Sequence, residues 1–225
     1  MFDVYTAPTR AFARLKEKPS WLLPVALVLV FNIAATFVTT QYVDWTAQRD
    51  LAVEQMQKRG MTQEQIDQAG MEKFYGSPVA RFGLPLVGAL VTGIIGILLL
   101  TLIYNVSLPM LGASSNFVRS LSVVAWAGMA LIPGAIIRIV LVLLKKSADV
   151  TTSLLLLAPN LKGGFVAALL AQVDPFAIWQ LILAGLGLKV VFDLKGARSY
   201  ILVFAVWVML TLIFSLLGAR GAVRA

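Results

Sequence analysis

Few residues in this chain could do chemistry, and most of them sit where catalysis has little use for them. There is no His and no Cys, which removes the commonest acid–base group, the thiolate nucleophile, disulfides and the soft metal ligands. Carboxylates, Lys, Ser/Thr and Tyr remain. Asp44, Asp50, Glu54, Glu64, Asp67 and Glu72 fall in one hydrophilic stretch, while Asp3, Glu17, Asp149, Asp174 and Asp193 are scattered. No pair has metal-ligand spacing on a membrane helix, and neither a G-x-x-x-x-G-K-[ST] phosphate loop nor a G-x-S-x-G elbow occurs. The expectation is a non-enzyme with no catalytic residues, no metal site and no cofactor.

The groups that invite a functional reading lie inside or beside apolar runs: Asn32, Asn105, Arg119, Arg138, Asp174, Gln180 and Lys189. Arg138 sits roughly one and a half to two helical turns before the end of its run, and Asp174 opens the next. Two readings are open. Arg138 and Asp174 form an ion pair tying two spans together, or Arg138 snorkels to the interface and Asp174 caps its helix. With Asn105 and Gln180, the two charges would also line a polar path through a bundle.

The elements that position these groups are five apolar runs, at 21–43, 82–108, 118–144, 175–192 and 199–217. About 20 apolar residues at about 1.5 Å per residue cross a hydrocarbon core of roughly 30 Å. Hydrophobic residues make up 59% and charged residues 13%, against about 25% charged in soluble domains, so the fold expected is all-α, a polytopic membrane helix bundle of about five spans. The net charge of +8 sits mainly beside the runs, where anionic lipid headgroups are the simpler partner. No aromatic base-stacking platform lies between basic residues, which excludes nucleic acid. The first run is longer than a signal-peptide core, so it reads as a retained span rather than a cleaved leader.

Residues 1–20 form an amphipathic N-terminal segment. Arg10, Arg14 and Lys18 recur every four residues as a basic stripe, with Phe12 and Leu15 on another face. That pattern suits a helix in the headgroup layer, its stripe on anionic lipid; a solvated tail is the alternative. The hydrophilic insertion at 44–78 reads as a helical hairpin with an acidic excess. Its first helix continues span one to about Arg59, with Glu54 and Lys58 as an i,i+4 pair; the second starts at a Thr62/Gln65 capping box and ends near Tyr75. It is a partner-binding surface or a solvated spacer. Ala89/Gly93 and Ala130/Gly134 have small-xxx-small spacing, which points to close packing within the chain; a second copy stays an open partner. In the stretch 145–174, a sixth span would set Pro159, Asn160 and Lys162 at mid-membrane. An extramembrane turn and a short interfacial or partly embedded helix fit better, with six spans as the alternative. Residues 218–225 read as a C-terminal tail.

Raw counting of Lys and Arg leans slightly against a cytoplasmic N-terminus. Arg10, Arg14, Lys16 and Lys18 immediately precede the first span, however, and the first span usually weighs most. The N-terminus is therefore expected inside, in a bacterial cytoplasmic (inner) membrane.

Three short stretches carry a resemblance. They are the run from Pro8 to Trp21, containing Lys18-Pro19-Ser20-Trp21; the run from Leu111-Gly112 through Phe117-Val118-Arg119 to Leu121; and Asp174-Pro175-Phe176-Ala177-Ile178-Trp179 with Leu186-Gly187-Leu188-Lys189. In order and hydropathy they resemble bacterial Yip1-domain proteins over most of the chain outside 44–78. Ala113 stands where a second Gly is frequent, and Ala125-Trp126 where eukaryotic relatives tend to have Gly-Tyr. The resemblance implies five spans and a cytoplasmic N-terminus, with Gly112, Phe117, Trp179 and Gly187 as structural positions. Eukaryotic relatives are associated with vesicle trafficking and Rab-type GTPases, machinery that bacteria lack. The function expected is an interaction or membrane-organising component, with 44–78 as candidate partner surface. The alternative is a small transporter, channel or lipid-moving protein. A cavity on which Arg138, Asp174, Asn105 and Gln180 converge would favour the alternative, and a solid apolar bundle the first.

Overall fold

The computed structural model describes residues 3–158, 160–161 and 164–223, with side chains through 216. Among these residues there is no strand. In chain order the helices are α1 (Asp3–Thr6), α2 (Pro8–Glu17), α3 (Leu22–Thr40), α4 (Trp45–Lys58), α5 (Gln63–Gln68), α6 (Met71–Gly76), α7 (Leu84–Ser107), α8 (Phe117–Gly128), α9 (Leu131–Lys145), α10 (Gly164–Gln172), α11 (Pro175–Val191) and α12 (Arg198–Val223). The tail expected at 218–225 is helical as far as Val223. Pro159, Lys162 and Gly163, which bear on the sixth-span question, lie outside the described residues.

Four stretches are long and apolar enough to cross a bilayer: Leu22–Thr40, Val79–Ser107, Phe117–Lys145 and Arg198–Leu216. The pair α10 and α11, bent by 56° at a short break, is long and apolar enough together to count as a fifth if the two form one broken span rather than a re-entrant loop. The bundle therefore has four or five spans. α10 alone, with 9 residues, rises only about 14 Å and cannot cross by itself.

Prolines explain the irregularities. Pro133 has no amide to offer the carbonyl of Met129, so the third span is interrupted at Met129 and Ala130 between α8 and α9. Pro85 likewise cannot bond the carbonyl four residues back, and a π-helical turn, Val79–Gly83, precedes it. Asp174 and Pro175 set the bend: Asp174 has extended backbone and Pro175 takes the first helical position of α11.

α3, with 19 residues, measures about 28 Å and serves as a ruler for the bilayer. The Trp126 indole N–H donates to the Ser20 carbonyl at 2.8 Å, so residue 126 is level with the start of α3. Residues 117–125 of α8 overshoot that level by roughly 14 Å. Beside this overshoot sit α1 and α2, packed on α11 and α8. The apolar face of α2 turns into protein rather than lipid: Phe12 and Leu15 are buried in the main core with Val4, Val123, Leu188 and Val191. Close approach depends on glycine. A Cβ on Gly187 would stand 2.7 Å from Val123 and 2.8 Å from the Phe12 ring.

The insertion at 44–78 is helical, but it does not continue span one. Asp44 ends the connection and caps α4, accepting the amides of Thr46 and Ala47, each at 3.0 Å. The capping box at Thr62 and Gln65 is formed, and Lys58 meets Glu54 at 3.1 Å. Gly70, in the left-handed region at φ 61°, divides the second arm into α5 and α6. These helices pack chiefly on one another around buried Ile66 and on the π-helical turn.

Candidate functional site

A cleft of about 440 Å³ opens between the second half of α3, α9 and the bend between α10 and α11. Asn32, eleventh of the 19 residues of α3, is its deepest polar group on that helix, with Val28 one turn deeper, and Thr40 marks its outer end. Measured on α3, it runs from mid-bilayer to the face that carries the α4–α6 hairpin. Arg138, Thr152, Gln172 and Asp174 complete its polar lining, with Phe31, Leu131 and Phe176 among its apolar walls. Gly134 makes room for the Phe176 ring, since a Cβ there would stand 2.7 Å from it. In the same way Gly93 lies against Leu29, so both small-xxx-small pairs serve packing within the chain.

Arg138 and Asp174 thus share one cleft, yet no ion pair joins them. Asp174 is engaged otherwise. Its Oδ1 accepts the amides of Phe176 at 2.8 Å and Ala177 at 3.4 Å, and its Oδ2 accepts the Thr152 hydroxyl. Arg138 makes no hydrogen bond or ion pair to a described residue and is exposed on the cleft. The capping alternative describes Asp174: its carboxylate is held by the amides of its own helix and by Thr152, not by the guanidinium of Arg138.

The four-residue path does not form as drawn. Asn105 lies off the cleft, on the overshooting end of the bundle, and accepts the Ser120 hydroxyl at 3.2 Å, tying α7 to α8. Gln180 lines a second, smaller cavity of about 170 Å³ with Tyr104 and Trp207. Gln172 and Ala177 line both cavities. Thr152 and Gln172 were not singled out from the sequence, because the stretch before Asp174 has no periodicity that aims them.

The remaining positions fall on the N-terminal side. Arg10, Arg14 and Lys18 are exposed, and Arg14 pairs with Asp3 at 2.7 Å. Lys16, outside that stripe, reaches Asp193 beyond α11 at 2.6 Å. The Trp179 ring lies 5.5 Å from that of Tyr5. The Tyr5 hydroxyl donates at 2.8 Å to the Met129 carbonyl, which Pro133 denies its usual helical amide and which also accepts the Ile132 amide at 3.1 Å. Burial raises the Tyr5 phenol above its ordinary range. Gly112 is in the left-handed region at φ 84°, as the turn after Pro109–Leu111 requires. Phe117, the first residue of α8 after the Asn116 cap, is exposed. Among the described residues no group of three or more Asp or Glu is placed to hold a metal ion.

Comparison with known proteins follows the architecture. The family model for the Yip1 domain matches residues 2–218. The chain is also similar to "Membrane protein YknW" of Bacillus subtilis (strain 168), 24% identical over 230 residues covering 97% of this chain and 91% of that protein. No solved structure matches.

Proposed function

We propose that this chain, which belongs to the Yip1-domain family, is a non-enzymatic interaction component of a bacterial cytoplasmic membrane whose working surface is the α4–α6 hairpin. The observation that supports this reading is the hairpin itself. It packs mainly on its own buried Ile66 and on the start of the second span, so its outer surface serves no bundle contact that the fold needs. Leu51 and Phe74 stand exposed on it. Arg49 pairs with Asp50 and also feels Glu72, and Lys58 pairs with Glu54, while Glu64 and Asp67 join no ion pair among the described residues. An acidic, apolar-studded surface in a chain of net charge +8 suits a basic, amphipathic segment of another membrane protein. With the N-terminus cytoplasmic and Arg10, Arg14 and Lys18 on anionic headgroups, the hairpin faces the opposite side of the membrane, and so does its partner.

The test is affinity purification in mild detergent of the full chain and of a variant in which a Gly-Ser linker replaces 44–78. A stoichiometric protein that is lost with the hairpin supports the reading. A partner set indifferent to the hairpin, from a variant that stays monodisperse, removes it.

A further inference from the structure

The hairpin leaves the intramembrane cleft unexplained. Polar groups beside the second half of α3 are costly in hydrocarbon unless something satisfies them. The cleft holds one cation and one carboxylate that do not meet. Among the described residues Arg138 is without a partner, and Asp174 spends its oxygens on two amides and one hydroxyl, with no cation in an ion pair with it. A ligand that filled the cleft would carry an anion for the guanidinium and a cation for the carboxylate. Guanidinium matches phosphate bidentately, and a carboxylate already holding three donors still takes an ammonium through its free lone pairs. The volume of about 440 Å³ falls within the roughly 300–1,000 Å³ range of small-molecule sites. Val28 and Phe31 on α3, Leu131 and Ala135 on α9 and Phe176 on α11 give the cleft apolar walls against which acyl chains can lie.

We propose that this cleft binds a phosphate-and-amine headgroup, that of a phosphoethanolamine-bearing phospholipid, with the phosphate on Arg138 and the amine on Asp174. Asn32 and Gln172 supply amide donors to the remaining phosphate and glycerol oxygens. The site lies apart from the hairpin and does not depend on it.

The test is native mass spectrometry of the delipidated full chain in detergent, titrated separately with phosphatidylethanolamine, phosphatidylglycerol, phosphatidylcholine and free phosphoethanolamine. Phosphatidylethanolamine is expected to bind at least tenfold more tightly than the other two lipids. Arg138→Gln is expected to lose it tenfold or more while the ligand-free melting temperature stays at the wild-type value, because Arg138 bonds nothing in the fold. Asp174→Asn keeps a competent helix cap and is expected to erase the preference over phosphatidylglycerol without abolishing binding. Arg138→Lys, which keeps charge but loses the fork, falls between. Equal binding of all three lipids by the wild type, or undiminished binding by Arg138→Gln, overturns the proposal. Free phosphoethanolamine competing as well as the lipid does overturns the lipid as the occupant and leaves a soluble phosphate–amine compound in its place.

Discussion

Replacing Gly187 with Ala tests how the N-terminal segment is held. The added Cβ would sit 2.7 Å from Val123 Cγ1 and 2.8 and 3.0 Å from two Phe12 ring carbons. Carbon pairs are comfortable at about 3.5–4.0 Å, so both neighbours must retreat by roughly 1 Å. Neither has room, because Phe12 and Val123 are both completely buried. Overpacking of this kind costs about 1–3 kcal/mol. For a chain of this size that is a fall in melting temperature on the order of 5 °C. The assay is thermal unfolding in detergent, followed by size-exclusion with fluorescence, alongside the rate of trypsin cleavage at Arg10 and Arg14. Gly187→Ala should melt lower and be cut faster. Phe12→Leu, which removes the ring that the Cβ meets, should recover part of the loss in the double variant, a non-additivity expected only of residues in contact. Wild-type melting and cleavage in Gly187→Ala, or strict additivity with Phe12→Leu, would refute the docking of α2 against α11.

Other substitutions separate the terms. Tyr5→Phe takes the hydroxyl from the Met129 carbonyl and should cost about 1 kcal/mol, read as a lower melting temperature with the aromatic contact to Trp179 intact. Gly112→Ala has open space around the new Cβ but a φ of 84°, so strain alone should cost about 1–2 kcal/mol in the same assay. Lys16→Ala breaks a pair whose partner Asp193 is 71% exposed, and should lower stability by no more than about 1 kcal/mol, less in high salt.

Much of the architecture was legible because apolar run length reports it directly: the four long apolar spans, the capping box at Thr62 and the Glu54–Lys58 pair follow from local rules. The breaks were written in prolines whose consequence is a missing amide. Pro133 denies the Met129 carbonyl its usual helical amide, yet only the fold shows that Tyr5, 124 residues away, joins Ile132 as a donor to it. Likewise Asp174-Pro175 signalled a helix start, but not that a separate helix, α10, would stand on the other side of it at a 56° bend to α11. Periodicity revealed an apolar face on α2 without saying whether lipid or protein covers it. For the cleft, helix order brought Arg138 and Asp174 to the same end of the bundle. Whether they would pair was decided by capping bonds to Phe176 and Ala177 that sequence spacing alone does not weigh against a guanidinium.

The claim that the α4–α6 hairpin is the working surface is tested most directly by photo-crosslinking in cells. A photoreactive residue is placed at Phe74 or Leu51, with Val140 on the lipid-facing side of α9 as the control. One discrete protein adduct is expected from positions 74 and 51 and none from 140. Adducts absent from the hairpin positions, or identical at all three, would contradict that claim.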